Sequence, residues 1–570
     1  MRRLSMLGHK KNRFWKYGIG MLLVPVCACA DVPPLVDDPG GNHRAWVRFE
    51  SWVRGALADR KPYGFRARDA ALAGRLSGRE AYCRLAVTMV EKQVVGAEKA
   101  ISAGLRPRIA EDSYLQVGPM LSDLAVTMDW CGHLLEEEQK SRWTVYAEQT
   151  LTNVWNPTDA AWGGKAYPWS GWGIDNPGNN YYYSFLEATQ YWALASDSQY
   201  WLRVLKEDKW PHVAAYFSNY HGGGSREGTG YGLSHAKLFE VYRTWLRSGQ
   251  ASIPALDRLV RESMEYWVHA TVPTLDMVAA IGDQARVSMP VMYDYHRKLM
   301  LLAYALAPES REARNAAWWL RHINLQEMGD GANFRYDLLQ LGKGQKPDKT
   351  WYYSPGAGHL FARTTWNQGA LWMSMVAGIY DEDHAHQDQG SFALYQRKWL
   401  TVTENVFTHS GIQQNTDVQN LLRFVTPEGD VGQKFSKNNL RVKSDGSRLL
   451  IHADLSPAYA HSELVFRWNR MLLFGAKEVV IDDDYAVDDK VQAVWQLNLP
   501  RQPRRRGKDI QAGKLCIRPR EPVAPEVRII HWPEVKREYE TFRSGWKVEL
   551  SGGKGRYRVS LFVNGCPPDS

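Results

Sequence analysis

Apolar residues in the first part of the chain recur at spacings of three and four. This spacing is typical of amphipathic helices packed on one face. It is clearest in the segments 81–101, 113–135, 136–155 and 184–196. The segments follow one another as hairpins and end at prolines, as in LTNVWNP and SMEYWVHATVP. Paired helices without strands from about residue 42 to 340 predict a helical array or toroid.

The pattern changes after about residue 350 to short runs rich in β-branched and aromatic residues, separated by Gly, Asp, Pro and Lys. The predicted strands lie in 370–380, 391–404, 447–456, 471–487, 490–500, 527–533 and 557–565. Such a series predicts a large antiparallel β-sandwich. A polar segment, LGKGQKPDKT, separates the two patterns. We therefore predict a helical domain over 31–345 and a β-sandwich domain over 346–570.

The first thirty residues predict an export signal. A basic start, MRRLSMLGHKKNRFWK, precedes the short apolar run YGIGMLLVPV and then CACAD. Two forms of processing fit: simple cleavage after Ala30, or an imperfect lipobox that leaves a lipidated Cys29. We expect a periplasmic protein in the first case and an outer-membrane-anchored one in the second. The sequence contains no run of eighteen apolar residues, so no transmembrane segment is predicted.

Net charge and composition indicate which kinds of binding partner fit the chain. The formal net charge of +9 includes six basic residues in the predicted signal, so the excess that remains is small. It gives weak support for a polyanionic partner. The 24 Trp and 28 Tyr of an exported chain favour sugar-stacking surfaces, although most will be core. Cys83, Cys131, Cys516 and Cys566 fit either two disulfides or small buried residues.

Three segments carry candidate chemistry, and the first is DNPGNNYYYSF, residues 175–185. It follows a loop that contains Trp169 and Trp172. Flat rings ahead of the neutral amides of Asn179 and Asn180 fit a sugar subsite, because an amide can donate a hydrogen bond to a carboxylate. The alternative is that these asparagines cap the following helix.

The second segment is HGGGSREGTGYGLSH, residues 221–235. Its glycines permit close backbone approach and leave Arg226, Glu227 and Tyr231 on a loop that leads to His235. A tyrosine there can act as a general acid or base if a nearby cation lowers its pKa. The alternative is a flexible turn.

The third segment is YDEDHAHQDQGSF, residues 380–392. It has three positions of a His-x-His-x-Asp-His metal motif, but Gln389 stands where the last histidine would be. The alternating αβ pattern of that hydrolase class is also missing, so a dinuclear hydrolase fits poorly. The alternative is a loop between strands, shaped by Asp388 or Ser391.

Together and in this order, these segments resemble the heparinase II/III-like polysaccharide lyases. The resemblance rests on LSDLAVTMDW, the asparagine loop, EGTGY, the His-x-His-x-Asp-x-Gly-Ser-Phe segment and the late strands FRWNRMLLFGAKEVVIDDD. It implies an incomplete (α/α) toroid followed by an antiparallel β-sandwich. It also implies a lyase that cleaves a uronate-containing acidic polysaccharide by β-elimination, with no nucleic acid as a partner.

The resemblance also implies residue roles. Asn180 matches an asparagine that contacts the uronate carboxylate, Tyr231 a tyrosine that protonates the leaving oxygen, and His384 a histidine at the domain junction. Tyr181 stands where many members have a histidine base, so Tyr181 or Tyr231 would supply that base. We expect other residues of these loops to bind substrate: Asn179, Arg226, Glu227, His235, Trp169 and Trp172.

The reaction requires no cofactor, but the resemblance implies a structural zinc. His386 matches one ligand of that zinc, and the counterparts of its partners are Glu404 and Gln419. Glutamate is an acceptable zinc ligand and glutamine a poor one. A metal at His386 and Glu404 is thus a weak expectation.

Two other functions stay open. Helical toroids also carry inverting glycoside hydrolases, for which Glu227 with Asp129 or Asp175 would be the carboxyl pair. The replaced residues at Tyr181 and Gln419 also fit a non-catalytic protein that binds acidic polysaccharide.

Overall fold

The computed structural model describes residues 31–58, 62–283, 291–403, 414–533, 535–537, 540–542 and 544–568. The predicted export signal and Glu404 lie outside the described residues. Within them, no helix is both long enough and apolar enough to cross a membrane.

The first half of the chain is helical. Its α-helices are His43–Leu57, Ala67–Ser77, Glu80–Ser102, Val117–Cys131, Glu137–Trp155, Asn180–Ala195, Gln199–Val204, Trp210–Ser218, Gly228–Tyr231, His235–Arg247, Pro254–Ala270, Asp294–Leu306 and Arg311–His322. A 3-10 helix, Gly331–Leu338, ends this half. A short hairpin pairs Ala161–Trp162 with Lys165–Ala166. It lies in the loop between the helices Glu137–Trp155 and Asn180–Ala195, which we call the aromatic loop.

Local sequence explains individual helices, and Arg311–His322 is an example. Ser310 caps its first turn by accepting a hydrogen bond from the Ala313 amide at 3.0 Å. Ala313, Ala316, Ala317 and Leu320 are buried at the expected spacing. Basic residues in the last turn complement the helix dipole.

The second half consists of antiparallel sheets. An eight-stranded sheet contains, in spatial order, Asn439–Ser444, Leu449–Asp454, Val465–Phe474, Glu478–Val487, Arg556–Phe562, Leu515–Glu521, Asp509–Ala512 and Arg504–Arg506. A five-stranded sheet contains Gly429–Asp430, Leu422–Thr426, Gln492–Leu499, Gly545–Ser551 and Glu526–Trp532. Short pairs join Ser436–Lys437 to Ile379–Tyr380, and Val535–Arg537 to Glu540–Phe542.

A second five-stranded sheet, which we call the junction sheet, joins the two halves. It contains Trp351–Ser354, His359–Arg363, Trp372–Val376, Phe392–Gln396 and Lys398–Trp399. Alternate residues face opposite sides of a strand. Phe361 and Trp372 accordingly pack into the helical core, whereas Leu360 and Met373 pack into the sandwich core.

Polar contacts reinforce this junction. The Trp372 indole donates to the His269 carbonyl at 3.0 Å, and Arg363 Nη2 donates to the Thr271 carbonyl at 2.6 Å. The junction sheet therefore fixes the loops at its ends relative to the helices.

Both candidate disulfides are formed. Cys83 is bonded to Cys131 across two helices, and Cys516 to Cys566 near the end of the chain. Of the two readings of these cysteines, the structure selects the paired one.

Candidate functional site

Three distant segments meet at the junction through their backbones. Gly228 has φ +95°, and a Cβ there would lie 2.1 Å from the Ile281 carbonyl oxygen. Gly282 has φ +65°, and a Cβ there would lie 2.5 Å from the Glu227 carbonyl oxygen and 3.0 Å from that of His384. Both positions need glycine because of the positive φ and the close approach. The contact brings the glycine-rich loop, residues 221–235, beside the histidine loop, residues 380–392.

Asp283, next to this contact, holds both histidines. Its side chain is 2% exposed. Its Oδ2 lies 2.9 Å from His384 Nδ1, and its Oδ1 lies 2.7 Å from His386 Nε2. Because a carboxylate only accepts hydrogen bonds, each of these ring nitrogens carries the proton. The side chain of His384 is 37% exposed, whereas that of His386 is 3% exposed.

Asp283 also sets the charge of His384. The hydrogen bond to Asp283 is the main cause that raises the pKa of His384, partial burial opposes it, and Glu227 adds to the rise. His384 is therefore protonated more readily than a free histidine is.

Two carboxyl groups beside His384 retain protons near neutral pH. Burial raises the pKa of Glu227 to about 7, and His384 partly offsets the rise. Burial and the neighbouring Asp381 raise the pKa of Glu382 to about 7. Within the described residues, Glu227 Oε2 is buried with no hydrogen-bond partner. Such perturbed groups are typical of functional sites.

The asparagine loop lies against the same cluster. A Cβ on Gly178 would be 3.0 Å from Glu382 Oε1. Asn179 is the N-cap of the helix Asn180–Ala195, where its Oδ1 accepts a hydrogen bond from the Tyr181 amide at 2.9 Å. The capping alternative thus holds for Asn179, whereas Asn180 is the first residue of the helix and is partly exposed.

Tyr181 points to a strained turn. Its hydroxyl donates to Asp112 Oδ1 at 3.1 Å. Asp112, Ser113 and Tyr114 have φ of 45°, 50° and 62°, in the left-handed region that side chains disfavour. Runs of such residues persist only where the surroundings impose them, and they cluster at functional sites.

The two tryptophans expected to bind substrate differ in exposure. Trp172 is 50% exposed and presents its ring to solvent. Trp169 is partly buried, donates to the Asn153 carbonyl at 2.9 Å, and packs against Tyr114 and Phe185. Trp172 is therefore the ring of this pair that is free to stack on a sugar.

Two residues expected to bind substrate have structural partners. Arg226 Nη1 lies 2.9 Å from Asp381 Oδ2, and its Nε donates to the Gly356 carbonyl at 2.9 Å, so Arg226 links the halves. His235 is buried against Phe217 and Tyr183, and burial lowers its pKa to about 4. Direct contact between His235 and a substrate would require the helical core to open.

Tyr231 ends the short helix Gly228–Tyr231, which begins at the glycine contact. The backbone of Tyr231 is thus held within one helical turn of Glu227. Its side chain lies outside the described part of the structure.

The predicted zinc site is not assembled by the described residues. No group of three His, Cys, Asp or Glu ligand atoms lying within 4.8 Å of one another includes His386 in the described ranges. Gln419 is turned toward Ser391, whose hydroxyl lies 3.5 Å from Gln419 Oε1. Glutamine is in any case a poor zinc ligand. Glu404, the other predicted ligand, lies outside the described residues, so the zinc site stays a prediction.

Asp129 and Asp175 are the predicted partners of Glu227 in hydrolysis. Asp129 accepts a hydrogen bond from the Val32 amide at 3.0 Å, and burial raises its pKa to about 6. Asp175 is exposed on the aromatic loop. Sequence reasoning missed Asp283 and did not single out Glu382. A lone Gly-Asp after an apolar run was the weak signal for Asp283.

Comparisons with known proteins bear on the fold. No protein-family model and no curated protein matches the sequence. Among solved structures, heparinase III superposes with a TM-score of 0.61 at 14% identity, over 87% of this chain and 76% of that one. A heparan sulfate lyase mutant from Pedobacter heparinus gives 0.59 at 13% identity, over 88% and 76%.

A third solved structure extends further along the chain. The chondroitin AC lyase of Streptomyces coelicolor A3, in complex with chondroitin sulphate, gives a TM-score of 0.55 at 10% identity, over 94% of this chain and 81% of that one. These similarities, together with the helical first half and the antiparallel sheets, confirm the predicted toroid followed by a β-sandwich.

Proposed function

We propose that this chain, which has the toroid-and-sandwich fold, is a polysaccharide lyase that cleaves a uronate-containing acidic polysaccharide by β-elimination. The observation that carries the proposal is the Asp283–His384 pair at the domain junction, beside the start of the asparagine helix. The similar folds of heparan sulfate and chondroitin lyases support it.

The reaction has a clear charge requirement. A base removes the proton at C5 of the uronate, a C4–C5 double bond forms, and the bond from C4 to the bridging oxygen breaks. The leaving oxygen takes a proton. Because the C5 proton is weakly acidic, donors that stabilise charge on the carboxylate lower the barrier.

Each candidate side chain has a place in this sequence. Asn180 and His384 donate hydrogen bonds to the carboxylate. His384 suits charge neutralisation more than proton abstraction, because its raised pKa favours the imidazolium form. Tyr231 protonates the leaving oxygen, and Tyr231 or Tyr181 removes the C5 proton. Trp172 stacks on a neighbouring sugar.

The test is a panel of acidic polymers: heparan sulfate, chondroitin sulphate, alginate and glucuronan. We expect at least one to give unsaturated, ultraviolet-absorbing ends, and Tyr231→Phe to abolish them. Tyr200→Phe is the control, because Tyr200 is 57% exposed on another helix. Full activity of Tyr231→Phe would refute the assignment, and the absence of unsaturated ends with every polymer would refute the reaction.

A second pair of variants separates the two histidines. His384→Ala should remove turnover with little loss of stability, because its side chain is partly exposed. His386→Ala should lower stability more, because its side chain is 3% exposed and bonded to buried Asp283. The reverse pattern would exchange their roles.

The same assay distinguishes the lyase from a glycoside hydrolase. The raised pKa of Glu227 would suit a general acid. Incorporation of solvent oxygen into products without ultraviolet absorbance would favour a hydrolase. Tight binding with no product at all would favour a non-catalytic binding protein.

Export to the periplasm, with or without a lipid on Cys29, is part of the proposal. Two disulfides support an oxidising compartment, since such bonds are rare in the cytosol. Mass spectrometry of the mature N-terminus distinguishes cleavage after Ala30 from lipidation of Cys29.

A further inference from the structure

A groove between the junction sheet and the edge of the eight-stranded sheet is lined by basic side chains. It has a volume of about 910 Å³. One wall is the turn that follows the strand Phe392–Gln396, and the other is the edge strand Arg504–Arg506 with its neighbour Asp509–Ala512. The cations that line it are Arg397, Lys398, Arg501, Arg504, Arg506 and Lys514. We call this feature the basic groove.

No carboxylate in the described part of the chain neutralises the charges of the basic groove. No Asp or Glu lines it, and no salt bridge joins its six cations to a carboxylate in the described ranges. Six of the nine formal excess charges of the chain lie in the predicted signal, so the rest of the protein is close to balanced. The groove is therefore a local concentration of positive charge, which attracts an anionic chain.

The neutral residues of the groove fit sugars. The half-buried Trp399, which packs on Trp372 and Tyr395, also lines the groove. Gln502 and Asn564 are exposed amides that can bond hydroxyl groups. Arg397, at the turn, has φ +59°, and the Tyr395 hydroxyl donates to its carbonyl at 2.9 Å. An arginine held in this conformation, where glycine would be unstrained, indicates that the side chain has a use.

The groove and the cluster of Glu227, Asp283 and His384, which we call the junction site, lie at opposite ends of one strand. The histidine loop enters Phe392–Gln396 at its start, and Arg397 follows its end. Five residues of strand span roughly 17 Å. A bound polymer must extend over at least that distance to contact both places, which takes several sugars.

We propose that the basic groove is a second, non-catalytic binding site for an acidic polysaccharide. It holds one part of the polymer while another part enters the junction site, which raises the effective concentration of substrate there. The class of polymer rests on the proposed function; the existence of an anion-binding groove does not.

Alternating residues of the edge strand provide a matched control. Arg504 and Arg506 line the groove, whereas Arg505 between them does not and points to the other face. All three are exposed. Removing Arg504 and Arg506 therefore tests the groove, and removing Arg505 tests general loss of positive charge from the same strand.

Binding is measured with the full chain carrying Tyr231→Phe, so that polymer is not cleaved. The probes are heparan sulfate, chondroitin sulphate, alginate, neutral dextran and duplex DNA. We expect Arg504→Ala with Arg506→Ala to weaken binding of at least one acidic polysaccharide roughly fivefold, as two exposed charge contacts would. Arg505→Ala should change binding less than twofold, and dextran should not bind.

Turnover of the otherwise unaltered chain provides the second readout. The groove variant should raise KM for the polymer about as much as it weakens binding, with kcat on short oligosaccharides unchanged. Equal effects of Arg505→Ala and of the groove variant, absence of binding to every acidic polysaccharide, or tighter groove-dependent binding of DNA would overturn the proposal. Groove-dependent binding without any unsaturated product would instead refute the lyase and leave the groove in place.

Discussion

Replacement of Glu227 by glutamine tests whether the junction site is as desolvated as its geometry indicates. Glu227 is 4% exposed, and burial is the largest cause that raises its pKa from 4.5 to about 7. Glutamine keeps the shape and removes the charge. The variant therefore resembles the protonated form of Glu227 at every pH.

The sign of the effect follows from proton binding. Between about pH 4.5 and 7 the folded protein holds this proton more tightly than the unfolded chain does. Stability consequently falls as pH rises through that window and remains lowered above it. At about 1.4 kcal/mol for each pKa unit, the loss is about 3 kcal/mol. Glu227→Gln should avoid it.

The assay is denaturant unfolding of both proteins across a pH series. We expect equal stability at pH 4 and an advantage of roughly 3 kcal/mol for Glu227→Gln at pH 9. Glu138→Gln, at an exposed position of the helix Glu137–Trp155, is the control and should show no such divergence. A variant less stable than the wild type at pH 9, or a constant difference at all pH values, would show that the carboxyl is not held in a desolvated site.

Three further predictions follow from the geometry. Asp283→Asn should lower kcat by roughly 100-fold or more, because asparagine has one acceptor oxygen for two rings and no charge to favour protonated His384. It should also move the His384 titration to lower pH, measured by nuclear magnetic resonance; an unchanged titration would contradict the pairing. Cys83→Ser with Cys131→Ser opens a loop of 48 residues and should lower the free energy of unfolding by about 4 kcal/mol. Equal denaturant midpoints of the wild type with and without reductant would argue against this stabilisation. Ser113→Gly should stabilise the protein by roughly 1 kcal/mol through relief of its left-handed φ, seen as a higher Tm; a lower Tm would mean that the hydroxyl has a partner worth more than the strain.

Periodicity was sufficient to predict the two halves of the fold, because burial on one face imposes a period of 3.6 on helices and of 2 on strands. It failed where the chain changes direction without a turn residue. The continuous strand expected over 391–404 ends at Gln396, and the chain turns at Arg397. A hydrogen bond from Tyr395 holds that turn, and such a contact leaves no trace in composition.

The arrangement of the candidate site could be predicted only in part. His384 belongs to a recognisable segment, whereas Asp283 lies 101 residues away in a stretch without a motif. Its importance comes from folding, which places one buried carboxylate between two rings. Asn179 is the opposite case. The helix that it caps begins at the next residue, so its capping role follows from local chemistry.

The contact between Gly228 and Gly282 has a consequence for redesign. These residues contribute no functional group, yet their lack of a side chain sets how near the toroid loop comes to the histidine loop. Efforts to alter substrate choice can vary the aromatic and basic linings freely but should leave both glycines unchanged. A single methyl group there would push the glycine-rich loop away from the histidine loop while leaving the side chains of both loops unchanged.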